Sequence, residues 1–296
     1  ESAWRAGDAP ALPAALAGAI QHRWLAAMID PAVEPRPEAR AAIGRALGRF
    51  SLDDRKGVGL RADGLPDVDW VTIPGDHAFV YQDGQRMTIP TFEIARHPVT
   101  NAQFQAFVDA GGYADDQWWS GLGQRFGAPE PPEWDEPNAP RETLSWYEAV
   151  AFCRWLATSL GEPIGLPHEV QWERAARGTN GSEYPWGIGW KARAANCQDH
   201  VNSGSFLGRT SAVGLYPKGA SVEGVLDLSG NVWEWCRNEF VDSTTVSVDD
   251  RGPRALRGGS WGYAPAYARA TSRIGFDPGV HLNYVGFRVC RGSPIE

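Results

Sequence analysis

LSWYEAVAFCRWLATSLG, residues 144–161, carries a full set of helix punctuation. Ser145 followed by Glu148 is a capping box, in which each residue's side chain satisfies a free backbone donor of the other. Ala149, Cys153, Leu156 and Leu160 recur at one-turn spacing to make an inward face, and Gly161 supplies the stop. HPVTNAQFQAFVDAGGY, residues 97–113, repeats the device with Thr100 and Gln103 as the box, Phe104, Phe107 and Val108 as the face, and Gly111-Gly112 as the end.

Around these helices the texture changes. WVTIP (70–74) and FVYQDGQRMTIP (79–90) read as strands, with Asp83-Gly84 as a tight hairpin turn. Beyond Gly178 come short apolar strands, NVWEW (231–235), RALRGG (254–259) and VGFRVC (285–290). In the last, Phe287 and Val289 alternate with Arg288, the pattern of a half-buried strand. DDQWWSGLGQRFGAPEPPEWDEPNAPRE (115–142) reads as an irregular surface loop that packs its own tryptophans. Two main helices, short antiparallel strands and long loops define an α+β class.

The first sixty residues are helix and linker. Leu16, Ile20 and Trp24 form one apolar stripe, and Ile43, Leu47 and Phe50 form another. DPAVEPRPE (30–38) separates them, because three prolines in so short a span cannot stay helical. Both stripes are expected to pack on the body of the protein. Two units result: a helical segment over 1–66 and a domain over 67–292.

The chain has 296 residues, 43% hydrophobic and 22% charged, enough to bury a large core. A net charge of −8 argues against nucleic acid and anionic membrane as partners, since both need a basic face. No apolar run approaches bilayer length, so membrane insertion is not expected. The chain starts at Glu1 without a methionine, as a processed or truncated product would, and without a secretory start its expected location is cytoplasmic. Cys153, Cys197, Cys236 and Cys290 show no CxxC spacing and read as buried free thiols, with a Cys236–Cys290 contact left open. The six histidines are scattered, with no pair at helical metal-binding spacing.

HPVTNAQFQAFV, LSWYEAVAFCRWL, GLPHEVQWERAARG, YPWG, GVLDLSGNVWEW, ALRGGSW and VGFRV occur in this order between Trp70 and Arg291. The ordered set resembles the formylglycine-generating-enzyme, or sulfatase-modifying factor, family. That resemblance implies an elaborated C-type-lectin fold. It also implies copper held by two cysteines just after RGGS, yet the loop from Trp261 to Arg273 has none. Thiolates are the soft ligands Cu(I) requires, so copper is not expected here. The related sulfoxide synthases take iron on a histidine and glutamate set from a helical domain, and the N-terminal segment offers only His22, so iron is not expected either.

The chain also resembles the variable proteins of diversity-generating retroelements, whose C-terminal segment is rewritten at AAY codons. Such codons cannot become Lys, Glu, Gln, Met or Trp, and none of these occurs from Gly262 to Tyr284. Within a variable region near 257–288, the resemblance makes Trp261, Pro265, Arg269, Arg273 and Pro278 fixed. The exchangeable, ligand-binding positions would be Gly262, Tyr263, Ala264, Ala266, Tyr267, Ser272, Ile274, Gly275, Phe276, Asp277, Gly279, Val280, His281, Leu282, Asn283 and Tyr284. Rigid aromatics among small neighbours suit a contact surface.

In DLSGNVWEW (227–235), Asp227 and Glu234 are hard carboxylate ligands beside a turn at Gly230. By the same resemblance these side chains, with the carbonyls of Gly230 and Val232, would hold a structural Ca²⁺. The alternative is a hydrogen-bonded turn with Glu234 pairing an arginine. A second family calcium site, near Asn196, has Ser205 where an aspartate is usual.

The reading is a non-enzymatic recognition protein that binds a protein or other macromolecule through residues 262–284. The alternatives are a metal-dependent oxidoreductase or protein-modifying enzyme, and an interaction domain of a larger signalling protein.

Overall fold

Two helices open the fold of this computed structural model, which describes residues 14–75, 77–82, 84–199, 206–249 and 251–292. Helix α1 (Ala14–Ile29) and α2 (Pro37–Arg49) pack together, with proline at the first helical position of α2, where a missing N–H costs nothing. The Arg40 guanidinium donates to the Met28 carbonyl at 2.7 Å and ties them. Met28, Ala41 and Leu47 share one cluster with Ala212, Leu215 and Tyr216, so the helices are seated on the main body. Ile20, Trp24, Ile43 and Phe50 pack against it half-buried, whereas Leu16 is exposed.

Three sheets follow. Strand β1 (Trp70–Ile73) pairs with β4 (Phe92–Ala95), while β2 (Phe79–Tyr81) and β3 (Gln85–Met87) make a hairpin. The expected turn at Asp83 lies outside the described residues. β4 pairs in turn with β10 (Cys290–Gly292), and β10 with the short β5 (Ile164–Gly165). The third sheet has the order β8-β7-β6-β9, from β6 (Trp233–Glu239), β7 (Arg254–Arg257), β8 (Arg273–Phe276) and β9 (Val285–Gly286). One pair there, β6 with β9, is parallel.

The punctuated helices form as read. Helix α3 (Asn101–Asp109) and α4 (Trp146–Leu160) both show reciprocal capping boxes, and Gly161 closes α4 at φ 67°. Phe104, Phe107, Phe152, Trp155 and Phe287 interlock between them. A third helix of the main body, α5 (Glu169–Arg177), adds to the two expected. Its cap is His168, whose ring nitrogen accepts the Val170 amide at 3.1 Å, a role usually left to Ser, Thr, Asp or Asn.

VGFRVC is not one half-buried strand: it divides into β9 and the start of β10, with Arg288 between them. Arg288 is fully buried, and Val285 through Cys290 are all buried. Its guanidinium grips both oxygens of Glu234 at 2.6 Å each, with Trp172 Nε1 donating to the same carboxylate at 2.6 Å. A buried charge is tolerated only when paired and hydrogen-bonded, and this one is. No helix among the described residues is long and apolar enough to cross a membrane.

Candidate functional site

The loop after β7 is held from below by backbone hydrogen bonds and by Ser229 Oγ, which donates to the Ala268 carbonyl at 2.6 Å. Gly258 and Gly259 have φ of 100° and 74°, and a Cβ on Gly259 would lie 2.8 Å from the Tyr267 carbonyl oxygen. Gly230 N donates to the Gly258 carbonyl at 2.8 Å, and Trp261 N to the Asn231 carbonyl at 3.0 Å. Asn231, at φ 66°, accepts the Ser211 amide on its side chain at 3.0 Å and the Asn196 amide group at 3.1 Å. The turn of DLSGNVWEW is thus the footing of the loop.

On that footing stands an aromatic face. Tyr263 meets Trp233 at 5.7 Å, Tyr267 at 5.4 Å and Tyr284 at 5.5 Å between ring centroids. Trp261 meets Trp134 edge-on at 5.1 Å and Phe206 at 6.3 Å, and its Nε1 donates to the Asn283 carbonyl at 3.3 Å. The Arg209 guanidinium lies 5.7 Å above the Trp134 ring and bonds Glu136. Burial, followed by the hydrogen bond with Tyr284, pushes the Tyr263 phenol up to about 12, so it stays a neutral hydroxyl at physiological pH. Tyr267 is 50% exposed at the rim.

The ligand-binding positions expected from sequence are all at least partly open to solvent, but they do not make one patch. Tyr263, Tyr267 and Tyr284 gather with exposed Ala264 and Ala266 and with Gly262, which has open space around its Cβ position. Ser272 bonds back to the Ala266 carbonyl at 3.0 Å. Ile274, Gly275 and Phe276 lie on β8, where Gly275 backs onto Phe240. Asp277 caps the Gly279 amide at 2.8 Å, and Val280 and Leu282 lean on the aromatic core. His281 turns inward to Glu148 at 2.6 Å, a carboxylate that also accepts from Tyr113 Oη at 2.5 Å and Ser145 Oγ at 2.7 Å. Asn283 contributes its carbonyl rather than a recognition side chain.

Sequence reading missed Trp134, Phe206, Arg209 and the Glu142–Thr143 step. Thr143 is β-branched at φ 54°, a strained placement, and its amide donates to Leu282. Glu142 is buried beneath it, accepts the Trp134 amide at 3.1 Å, and has its pKa raised by desolvation. None of these carries a motif, and only the Trp, Pro and Gly density of 115–142 pointed there.

For Asp227, Gly230, Val232 and Glu234, the structure places both carboxylates with other partners. Asp227 accepts the Gly214 amide at 2.6 Å, and Glu234 is taken by Arg288 and Trp172. Ser205 lies outside the described residues. All four cysteines are free and buried, with burial raising each thiol, and among the described residues no group of three His, Cys, Asp or Glu could hold a metal.

Residues 65–293 match the sulfatase-modifying factor enzyme 1-like domain. The chain is 32% identical over 235 residues to hercynine oxygenase of Mycobacterium tuberculosis, covering 68% of this chain and 52% of that protein. It is 30% identical over 258 residues to the formylglycine-generating enzyme of Thermomonospora curvata, covering 69% and 82%. It therefore spans about half the length of the hercynine oxygenases it matches. PvdO from Pseudomonas aeruginosa superposes with TM-score 0.62 at 22% identity, over 81% of this chain and all of that one. Treponema denticola variable protein 1 does so with TM-score 0.54 at 22% identity, over 76% and 94%. At such identity these two establish the fold alone.

The relatives correct the expectation that this chain is not an enzyme, because the hercynine oxygenases and the formylglycine-generating enzyme at 30–32% identity are named as enzymes, beside a Bos taurus relative at 31% named inactive C-alpha-formylglycine-generating enzyme 2. The missing cysteine pair bears on one kind of metal chemistry alone, and the step from it to no catalysis at all is too broad.

Proposed function

The chain belongs to the sulfatase-modifying factor enzyme 1-like family, and from that premise we propose that it forms the substrate-recognition part of an enzyme, with the Trp261–Tyr267 face receiving the substrate. The observation that carries this reading is the pair of ring clusters, one around Trp261 and one around Tyr263, over a glycine-fixed loop. Aromatic faces attract methylated ammonium groups through the ring quadrupole, and a chain of net charge −8 favours a cationic group. Arg209, over the Trp134 ring, shares the single Glu136 carboxylate with Arg49, which leaves a net positive charge there for a substrate carboxylate. A betaine such as hercynine carries both groups.

Calorimetric titration of the full chain with hercynine and with unmethylated histidine tests the proposal. Hercynine is expected to bind, and histidine at least fivefold more weakly. Tyr263→Ala or Trp261→Ala should weaken hercynine by about five- to thirtyfold, as removing a single cation–π interaction does. Equal binding of the two compounds, or none by hercynine, overturns it.

A second reading concerns residues 262–284. The positions expected to be exchangeable are all at least partly open to solvent, and of the expected fixed residues Pro278 is buried whereas Trp261, Pro265, Arg269 and Arg273 are not. Solvent access at every exchangeable position is what a diversified surface needs. An adenine-rich near-copy of codons 262–284 beside a reverse-transcriptase gene would carry this reading, and a template without mismatches there would end it.

A further inference from the structure

Away from the aromatic face, a cleft of about 310 Å³ opens between α4, β5 and β10. Its floor is apolar, made of Trp146, Val150, Ile164 and Leu166 with the buried thiol of Cys290. No aspartate or glutamate among the described residues lines it, although acids outnumber basic residues in the chain by 36 to 28. Three arginines do. Arg291 is ion-paired to Glu93 and Glu162. Arg154 donates to the carbonyls of Trp118 and Ser120, at 3.0 and 2.7 Å, and meets no carboxylate among the described residues, which leaves its charge uncompensated. Arg237, on β6, has no hydrogen bond or ion pair from its guanidinium among the described residues. Its charge reaches Cys290, opposing the burial that pushes that thiol up to about 12.

An apolar pocket with a few fixed polar groups is the usual form of a small-molecule site, and this volume is at the lower end of that range. A guanidinium without a carboxylate at its mouth selects an anion, and its planar fork matches a carboxylate. We propose that this cleft binds a small monocarboxylate with an unbranched apolar tail, the tail lying along α4 and β5 and the carboxylate held by Arg237 with Arg154 beside it. Both thiols near it, Cys153 and Cys290, are held protonated by burial and serve as apolar wall. The site is separate from the aromatic face: Trp233 touches Tyr263, and Arg237 stands four residues farther along β6, roughly 13 Å at strand rise.

Titration of the full chain with octanoate, octanol and octylamine, followed by calorimetry, is the test. Octanoate is expected to bind at least tenfold more tightly than octanol, octylamine not to bind, and each methylene removed from the acid to cost about three- to fourfold. Arg237→Gln should bring octanoate down to the affinity of octanol while leaving octanol unchanged. Val150→Trp, which fills the cleft, should abolish both, and Tyr263→Ala should alter neither. Equal affinity for acid and alcohol, or octanoate binding that survives both Arg237→Gln and Val150→Trp, overturns the proposal. Neither result bears on hercynine binding at the aromatic face.

Discussion

Arg288, Glu148 and His281 show how charge is handled one residue at a time. Arg288 and Glu234 are both fully buried, so each depends on the other, and an apolar alternation in VGFRV could not reveal the partner. The Glu148–His281 pair makes stability depend on pH. Burial of His281 disfavours its charged form, but the Glu148 hydrogen bond and charge outweigh it and raise its pKa. Burial likewise works against the Glu148 carboxylate, and the His281 and Tyr113 hydrogen bonds lower it further than burial raises it. The raised histidine contributes stability in full below its unfolded value of about 6.5 and loses it as pH rises through the folded value. The lowered glutamate contributes above its unfolded value and loses it as pH falls through the folded one. Denaturant midpoints should therefore fall as pH rises through the folded His281 value, and His281→Gln should remove that slope.

At the scale of elements, local rules and tertiary footing divide the work. Helices α3 and α4 were legible because Thr100–Gln103 and Ser145–Glu148 are local devices with a recognisable spacing. Helix α5 was not, since a histidine cap leaves no such trace. The loop over the aromatic face depends on glycine twice, through positive φ and through the close Tyr267 carbonyl. Gly259→Ala should therefore cost about 1–3 kcal/mol from backbone strain and displace Tyr267. Urea unfolding and hercynine titration of the variant read the two effects separately, and unchanged stability would show that the turn tolerates a side chain. Of the recognition residues, Tyr263 and Tyr267 were visible in the sequence as a cluster. Trp134 and Phe206 were not, because they reach Trp261 from segments more than fifty residues away.

For the whole molecule, the N-terminal helices are part of the fold and not an appendage. Met28, Ala41 and Leu47 close over Ala212, Leu215 and Tyr216, and Asn138 donates to the Gly44 carbonyl at 2.9 Å from the main body. Removing residues 1–52 should expose this apolar surface, lower the thermal midpoint by several degrees and increase binding of a hydrophobic dye. An unchanged midpoint would show that the helices only rest on the surface. The net charge of −8 is also unevenly distributed, since the cleft beneath α4 is lined by arginines and, among the described residues, no acid.

Sequence alone determined what depends on neighbours within a few residues or on an ordered set of motifs: the α+β class, the capped helices, the glycine turn before Trp261, and the absence of cysteines after it. Tertiary structure decided which carboxylate meets which arginine, which rings share a face, and which guanidinium at a cleft meets no carboxylate among the described residues. Those outcomes turn on contacts between segments far apart along the chain. Their strength follows burial and distance in space, which spacing along the sequence does not encode.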